Sequence, residues 1–304
     1  MNRSKLVLGT VQLGMRYGLN NSTGQPDDKE SFAILDAALS AGIEVFDTAW
    51  AYGTAEDVLG KWIKSRDVGK KIRVISKMKR HILDEYPTGT NVTDIVRSET
   101  EKSLGRLGIG QLDGYLLHMP EYIYKDDVVV GLQKVKEAGL VKNIGVSIYD
   151  EPEALSALEL GMDYIQVPYN ILDQRLDATD FFLEAKERGT KVFARSPFLQ
   201  GLLLRDPEHL PPHLSGARHL LENFIAIIRR YNISQLEASL LFSHLHCPAD
   251  HIVFGVKTRS QLDEIIAIID RAPSIKNAPW ITEIVDEFKY GDRTIVNPSL
   301  WKKA

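Results

Sequence analysis

The sequence predicts an α/β protein folded as a single (β/α)8 TIM barrel, with eight parallel strands, over residues 1–304. Two observations predict this fold. Short apolar or β-branched runs alternate with longer segments of helical periodicity, the pattern of repeated strand–helix units. Ionisable side chains follow the carboxyl ends of several different runs, as they do in barrels. No linker or internal repeat divides the chain, which favours one domain.

The predicted elements alternate along the whole chain. The predicted strands are Lys5–Gly9, Glu44–Asp47, Ile72–Lys77, Leu112–His118, Asn143–Ser147, Tyr164–Val167, Lys191–Arg195 and Ile252–Gly255. The predicted helices are Glu30–Ala41, Ala55–Ile63, Val92–Leu107, Val129–Ala138, Pro152–Leu160, Ala178–Arg188, Arg218–Tyr231, Ser234–Ser243, Gln261–Ile269 and Pro279–Phe288. An excursion, Pro197–Ser215, interrupts the alternation, and a tail from Tyr290 to Ala304 either covers the pocket or packs outside it.

The same alternation suits a doubly wound sheet as well as a closed barrel. A dinucleotide-binding sheet of that kind carries G-x-G-x-x-G directly after its first strand. Here the first turn, Gly9–Gly14, reads G-T-V-Q-L-G and lacks that fingerprint. The placement of polar residues after several strands therefore favours the barrel.

Composition narrows the class of partner. The net charge is −4, so nothing favours nucleic acid or an anionic membrane, and a small-molecule ligand fits better. The single cysteine, Cys247, excludes an internal disulfide, and the first residues lack the apolar run of a signal peptide. No stretch approaches the roughly 20 apolar residues that cross a bilayer. We expect a cytoplasmic protein without a membrane segment.

Four ionisable residues follow three successive strands: Asp47, Tyr52, Lys77 and His118. A lysine beside a tyrosine stabilises the phenolate and lowers its pKa toward the range of a general acid. The aspartate keeps the lysine charged, and a histidine nearby donates a hydrogen bond to a carbonyl oxygen. Taken singly, Asp47 is explained as a helix cap, Lys77 as part of a solvated basic edge and His118 as a core residue. Their joint placement favours a catalytic group.

Motifs spread along nearly the whole chain resemble those of the aldo-keto reductase family. They are FDTAWAYG at Phe46–Gly53, SK at Ser76–Lys77, YLLHMP at Tyr115–Pro120, KNIGVS at Lys142–Ser147, QVPYN at Gln166–Asn170, SPFLQGLL at Ser196–Leu203 and FGVKTRSQLDE at Phe254–Glu264. The resemblance implies that Tyr52 is the proton donor, that Lys77 and Asp47 tune it, and that His118 orients the carbonyl.

The resemblance also implies an extended NADP(H) molecule across the barrel mouth, with NAD(H) as the alternative. The implied contacts are to the nicotinamide carboxamide, the pyrophosphate, the adenosine 2′-phosphate and the adenine. For Lys257, Thr258 and Arg259, which the resemblance assigns to the 2′-phosphate, the alternative is an ordinary helix start with basic residues. The cofactor-binding residues implied are Ser147 and Gln166 for the carboxamide, Arg195, Ser196, Leu199 and Gly201 along the nicotinamide and pyrophosphate, Gly255, then Lys257, Thr258 and Arg259 for the 2′-phosphate, and Gln261 toward the adenine.

Three residues depart from the family pattern. Ile148 replaces a common asparagine beside the carboxamide, and Ile265 replaces one beside the adenine. Arg195 replaces an aromatic residue that stacks on the nicotinamide. We hypothesise that the Arg195 cation biases the bound cofactor toward the neutral reduced ring, or engages an anionic substrate. The alternative is an ion pair between Arg195 and an acidic neighbour.

Two further groups of residues adjoin strand ends. The predicted substrate pocket consists of Trp50, Met119, Tyr149 and Tyr169, for which rim packing is the alternative. A group of potential metal ligands has a spacing that matches no zinc pattern, so no metal is predicted. Its members are His244, His246, Cys247 and His251.

The resemblance predicts an enzyme that reversibly reduces an aldehyde or ketone, including a sugar or sugar derivative, with NADP(H). The cofactor supplies the hydride, and the protein supplies position and a proton. The alternative is a cofactor-sensing regulatory or interaction module, because the β subunits of potassium channels resemble this family too. All four positions of the Asp47, Tyr52, Lys77 and His118 tetrad are filled, which favours the enzyme.

Overall fold

The strands form a closed parallel barrel in a computed structural model that describes residues 2–275, 278–289 and 291–301. Each strand pairs with the next, and the last closes on the first with Leu6 opposite Ile252. The predicted (β/α)8 barrel is therefore confirmed. The strands are β1 (Leu6–Gly9), β2 (Val45–Asp47), β3 (Arg73–Lys77), β4 (Leu112–Leu117), β5 (Val141–Ser147), β6 (Tyr164–Pro168), β7 (Lys191–Arg195) and β8 (His251–Gly255).

Helices surround the barrel in the order that the periodicity predicts. Local sequence sets several of their ends: Asp27 accepts a hydrogen bond from the Glu30 N–H, and Gly189 ends a helix in the left-handed conformation. The α-helices of the described chain are α1 (Val11–Gly14), α2 (Asp28–Ser40), α3 (Ala55–Arg66), α4 (Val92–Leu107), α5 (Asp126–Glu137), α6 (Glu151–Glu159), α7 (Phe181–Arg188), α8 (Arg218–Arg230), α9 (Gln235–Leu245), α10 (Arg259–Ile275), α11 (Pro279–Glu287) and α12 (Arg293–Val296).

Several segments differ from the prediction. Helix α10 continues to Ile275 instead of ending at Ile269, and α5 begins at Asp126 instead of Val129. The helix predicted from Ala178 begins at Phe181, because Arg175–Ala178 forms a separate 3-10 helix and Thr179 is extended. The short helix α1 was not predicted. The excursion after β7 contains 3-10 helices at Leu199–Leu204, Pro207–His209 and Pro212–Ala217.

The tail packs on the rim of the barrel where the structure describes it. The Arg293 side chain donates to the carboxylate of Asp150, in the loop after β5. The Trp301 indole donates to the carbonyl of Ile295 at 3.0 Å. Tyr290 and residues 302–304, which belong to the predicted tail, lie outside the described residues.

The barrel interior separates an apolar centre from a polar carboxyl end. Side chains that alternate along the strands fill the centre, namely Val7, Val45, Ile75, Leu116, Tyr164, Phe193 and Val253. The intervening residues, such as Leu6 and Leu8, pack outward against the helices. Buried polar side chains then occupy the carboxyl ends of β2, β3 and β6, which we call the mouth. Within the described residues, no helix has the length and apolar character to cross a membrane.

Candidate active site

An ion pair between Lys77 and Asp47 lies at the mouth, at the ends of β3 and β2. The Lys77 Nζ donates to Asp47 Oδ1 at 2.6 Å and to the carbonyl of Thr48 at 3.0 Å. The two side chains are only 1% and 3% exposed. Lys77 is therefore not part of a solvated edge. Asp47 does not cap the following helix either, since α3 begins at Ala55.

Tyr52 lies in the turn after β2, above this ion pair. Its hydroxyl oxygen accepts from Lys77 Nζ at 3.3 Å. Two glycines let this turn approach the loop after β1 closely. A Cβ on Gly14 would lie 1.9 Å from the Tyr52 carbonyl oxygen, and Gly53, with φ +61°, would bring a Cβ within 2.4 Å of the Gly14 carbonyl oxygen. The glycine pair therefore holds the tyrosine in place over the mouth.

The electrostatics of Tyr52 correct one prediction. Burial raises the pKa of Tyr52 above its usual value, and the Asp47 carboxylate adds to the rise. The sequence predicted a lower pKa from the nearby lysine. Asp47 offsets the Lys77 charge, however, and burial lowers the pKa of Lys77 itself. Tyr52 therefore holds its proton at neutral pH, as a proton donor must.

His118 follows β4 directly and faces Tyr52. The two rings meet edge to face, with centroids 5.7 Å apart. The Nδ1 atom is buried, and it has no hydrogen-bond partner among the residues that the structure describes. Burial, and then the positive charge of Lys77, lowers the pKa of His118 well below its usual value. His118 is therefore a neutral imidazole with one N–H to donate, which a satisfied core histidine would not offer.

The residues predicted to hold a carboxamide lie around the same ion pair. The Gln166 side-chain amide donates to Asp47 Oδ2 at 2.8 Å. Ser147, at the end of β5, accepts from Arg195 Nε at 3.3 Å. Arg195 also donates to the carbonyl of Ile148 at 2.8 Å.

The Arg195 guanidinium lies over the Tyr149 ring at the mouth. Its central carbon is 4.7 Å from the centroid of the Tyr149 ring, and Nη1 donates to the Ser196 hydroxyl at 3.3 Å. No carboxylate forms an ion pair with Arg195 within the described ranges of the chain. The ion-pair explanation of this residue is therefore wrong, and the cation remains available to a ligand.

The loop after β7 has an unusual backbone. Ser196, Leu199, Gln200 and Gly201 all have positive φ angles, of 66°, 46°, 54° and 92°. The Asn20 side-chain amide donates to the carbonyl of Gly201 at 3.0 Å and pins this loop to the one after β1. Within the loop, the Leu199 N–H donates to the Ser196 carbonyl at 2.9 Å, and the Gly201 N–H donates to the Phe198 carbonyl at 2.8 Å. These bonds fix the turn that the sequence predicts to contact a pyrophosphate.

The loop after β8 is compact and locally hydrogen-bonded. The Lys257 N–H donates to Gln261 Oε1 at 2.9 Å, and the Gln261 N–H donates to Thr258 Oγ1 at 3.2 Å. A Cβ on Gly255 would lie 2.5 Å from Gln12 Oε1, so glycine is required there. The Gln12 oxygen is buried without a partner among the described residues. Lys257 and Thr258 precede α10, and Gln261 lies in its first turn.

Arg259 is the first residue of α10, and both of its donor groups meet carboxylates. Its backbone N–H donates to Glu30 Oε1 at 2.7 Å. Its guanidinium Nε donates to Asp263 Oδ1 at 2.8 Å. The first contact could not be predicted from the sequence, because Glu30 lies in α2, 229 residues before Arg259.

Three of the four residues predicted to line a substrate pocket lie at or beside the mouth, whereas Tyr169 does not. Lys79 Nζ lies 4.2 Å from the centroid of the Trp50 ring on the rim. Met119, which follows His118, accepts from the His81 N–H through its sulfur at 3.0 Å. Tyr149 lies beside Arg195, as described.

Tyr169 belongs to the core instead. It is 1% exposed, and its hydroxyl donates to Asp177 at 2.7 Å. Its ring stacks on Phe242 of α9 with centroids 6.0 Å apart. The side chain therefore points between the sheet and the helices, away from the mouth.

Tyr17 is a mouth residue that the sequence analysis missed. It lies in the loop after α1. Burial raises the pKa of Tyr17, the nearby Tyr52 and Tyr149 side chains raise it further, and the Arg195 charge lowers it. No strand end precedes Tyr17, so the strand-end signal could not find it.

The histidine and cysteine segment before β8 has a structural explanation. Lys5 Nζ donates to the carbonyls of His244 and Cys247 at 3.1 and 2.9 Å, which ties this segment to the start of β1. Within residues 2–275, 278–289 and 291–301, no three His, Cys, Asp or Glu side chains are grouped closely enough to hold a metal ion.

Comparison with known proteins identifies the family that the sequence motifs resemble. The family model described as Aldo/keto reductase family matches residues 5–286. The chain belongs to the aldo/keto reductase family. Members of this family are oxidoreductases that generally use nicotinamide cofactors.

Individual aldo/keto reductases are similar at modest identity. Aldo-keto reductase str7 from Strobilurus tenacellus is 28% identical over 215 residues, which cover 68% of this chain and 61% of that protein. The matched region thus spans about three fifths of that relative's length. D-threo-aldose 1-dehydrogenase from a Pseudomonas species is 28% identical over 274 residues, covering 78% of this chain and 82% of that protein.

A solved structure shows the same fold. The aldo-keto reductase AKR11C1 from Bacillus halodurans superposes with a TM-score of 0.72 over 97% of this chain and 95% of that one, at 20% identity. At this identity the likeness concerns the fold alone.

The residues present at the mouth fit the nicotinamide dinucleotide of an aldo/keto reductase. Buried polar atoms lack partners within the described chain where a ligand would supply them, at His118 Nδ1 and Thr48 Oγ1. Gly201 and Gly255 let the Asn20 and Gln12 side chains approach the loops that would carry the phosphates, because a Cβ would lie 2.9 Å from the Asn20 Nδ2 and 2.5 Å from the Gln12 Oε1. A cation is available at each end, from Arg195 and Lys257.

Proposed function

We propose that this chain reversibly reduces an aldehyde or ketone with NADP(H), using Tyr52 as the proton donor. One observation carries the proposal. Within the described part of the chain, the Tyr52 proton meets no acceptor, while its oxygen lies 3.3 Å from the Lys77 ammonium. A proton held at neutral pH, unused by the fold and adjacent to a cation, is suited to transfer.

The mouth residues have complementary tasks in such a reduction. Bound nicotinamide dinucleotide supplies the hydride that the carbonyl carbon gains. The neutral His118 donates a hydrogen bond to the carbonyl oxygen and orients it. Tyr52 gives its proton to that oxygen, and Lys77 stabilises the phenolate that remains. Asp47 holds Lys77 in position at 2.6 Å. Oxidation of the alcohol uses the same groups in reverse.

Three clusters would hold the dinucleotide. The nicotinamide end would lie among Ser147, Gln166 and Arg195. The pyrophosphate would lie against the loop that begins at Ser196. The adenosine would lie against the segment from Lys257 to Gln261, where α10 begins. NAD(H) is the alternative form of the cofactor. Similarity to D-threo-aldose 1-dehydrogenase supports a sugar among the substrates.

The test is cofactor oxidation with a panel of aldehydes, ketones and keto-sugars, comparing the wild type with Tyr52→Phe. We expect turnover to fall by about 10²- to 10⁴-fold in the variant, the usual contribution of a general acid. Binding of NADPH, measured by fluorescence titration, should stay unchanged because Tyr52 is not assigned to the cofactor.

Equal turnover by Tyr52→Phe and wild type would contradict this mechanism. Tight cofactor binding with no turnover on any substrate would instead favour the cofactor-sensing module. A fall in both turnover and folded stability would indicate a structural role, so thermal melting of both proteins is measured alongside.

A further inference from the structure

Two helix starts meet at the adenosine end of the proposed cofactor site. Because β1 and β8 are neighbours in the barrel, α2 and α10 lie side by side. Glu30, in the first turn of α2, reaches across and accepts from the Arg259 N–H at 2.7 Å. The Glu30 N–H donates to Asp27 Oδ1 at 2.8 Å, which fixes the backbone position of Glu30.

A second carboxylate engages the other donor of Arg259. Asp263, one helical turn along α10, accepts from the guanidinium at 2.8 and 3.0 Å. Lys257 is different: its ammonium contacts the hydroxyl of Thr23 at 3.4 Å. The two cations that the family resemblance assigns to a 2′-phosphate therefore lie near two carboxylates, and the four charges sum to zero.

A phosphate and the Glu30 carboxylate have the same requirement. Both are anions that accept from an N–H at a helix start, where the helix dipole favours negative charge. The Arg259 N–H cannot donate to both of them at once, and the two negative charges repel each other. A ribose hydroxyl behaves oppositely, because it can donate a hydrogen bond to a carboxylate. Acidic residues accept such a bond from the ribose 2′-hydroxyl in other NAD-binding sites.

We propose that Glu30 selects against the 2′-phosphate and so sets the balance between NADP(H) and NAD(H). The inference rests on the proposed function, since it concerns the same cofactor site. Glu30 acts at the end of the site remote from the mouth. It is a specificity residue and takes no part in proton or hydride transfer.

A purely structural role predicts a different result. If Glu30 only caps α10, its removal lowers the stability of the protein and weakens or spares both cofactors equally. If it selects against phosphate, its removal changes the affinity ratio. The ratio of the two dissociation constants therefore separates the two roles. Thermal melting measures how much the hydrogen bond from Glu30 to α10 contributes to stability.

The experiment measures dissociation constants by calorimetry for wild type, Glu30→Gln and Glu30→Ala. The probes are NADPH and NADH, together with adenosine 2′,5′-bisphosphate and adenosine 5′-monophosphate, which report on the adenosine end alone. Asp28→Asn is the matched control: it removes a carboxylate from the same helix turn, one whose partner is Lys61 at 3.0 Å. Glu30→Ala also removes the acceptor, in case the glutamine oxygen still occupies the N–H.

We expect the Glu30 variants to bind the ligands that carry a 2′-phosphate about tenfold more tightly, an estimate for one partly screened unit charge. Ligands without that phosphate should bind equally well or more weakly, and Asp28→Asn should change neither. If both cofactors bind and neither Glu30 variant changes the ratio, the proposal is overturned while the proposed function stands. If no protein binds either dinucleotide, the cofactor assignment is wrong and the Glu30 proposal falls with it.

Discussion

Two tyrosines at opposite ends of the barrel have similar electrostatics and different bonding. Burial is the main cause that raises the pKa of both Tyr52, at the mouth, and Tyr164, at the amino end. The Tyr164 hydroxyl donates to Asp113 at 3.0 Å and accepts from the Asn143 amide at 2.9 Å. Among the described residues, the Tyr52 hydroxyl has one partner, Lys77, from which it accepts at 3.3 Å.

The difference shows what identifies a reactive tyrosine. A raised pKa describes both residues, so it does not distinguish catalysis from structure. Hydrogen-bond donation does distinguish them. The Tyr164 hydroxyl donates to Asp113, whereas the Tyr52 hydroxyl has no acceptor among the described residues. Packing also indicates a structural role for Tyr164. A Cβ on Gly114 would lie 2.8 Å from the Tyr164 ring, so glycine at this position makes room for the ring. We call Asp113, Asn143 and Tyr164 the floor cluster.

The largest predicted effect concerns the ion pair at the mouth. Lys77→Met leaves the buried Asp47 carboxylate unpaired, and we expect a loss of about 3–5 kcal/mol in the free energy of unfolding. Turnover should be lost as well. The double variant Lys77→Met with Asp47→Asn removes the stranded charge, so we expect it to regain stability without regaining turnover.

Denaturant unfolding and turnover of the same three proteins check this prediction. A single variant as stable as wild type would show that Asp47 takes up a proton or water at little cost. Recovery of turnover in the double variant would show that Lys77 is not needed to stabilise the Tyr52 phenolate.

The floor cluster should respond in the opposite way. Tyr164→Phe leaves Asp113 and Asn143 without a hydroxyl partner, and we expect a loss of about 1–3 kcal/mol in stability with unchanged turnover. Tyr124→Phe, at a side chain that is 58% exposed, is the control and should change neither. A fall in turnover at unchanged stability would break the distinction between the two ends.

The pKa of Tyr164 adds a pH dependence with a definite sign. Because the folded pKa is raised above the ordinary value of 10.0, the unfolded chain ionises first as pH rises. The contribution of Tyr164 to stability is therefore present below pH 10 and lost above it. Tyr164→Phe should show a shallower loss of stability in that range, measured by unfolding at neutral and alkaline pH.

The fold was predictable because apolar and β-branched runs carry the strand signal without tertiary information. All eight strands form where those runs lie. The start of α7 at Phe181 could not be read, because helical periodicity does not distinguish a 3-10 turn from the α-helix that follows it. Backbone breaks such as the one at Thr179 depend on packing that the pattern does not contain.

The candidate site was predictable where strand ends determine it. Asp47, Lys77 and His118 follow parallel strands, so closure of the barrel brings them together. Tyr169 also follows a strand, yet its side chain points into the helical layer, since the residue after a strand can point either way. Tyr17 and Glu30 reach the site from loop and helix positions that only the folded structure brings close.

The smallest predicted effect concerns Arg195, the cation at the mouth. The residue is partly exposed, and the central carbon of its guanidinium lies 4.7 Å from the centroid of the Tyr149 ring. A positive charge there disfavours the cationic oxidised nicotinamide relative to the neutral reduced ring. For Arg195→Ala we expect NADP⁺ to gain affinity relative to NADPH by about two- to fivefold, as suits a screened charge. Arg195→Lys keeps the charge and should keep the ratio. An unchanged ratio in the alanine variant would exclude this redox bias and favour the alternative, an anionic substrate, which a selective loss of turnover on a carboxylated aldehyde over its neutral analogue would support.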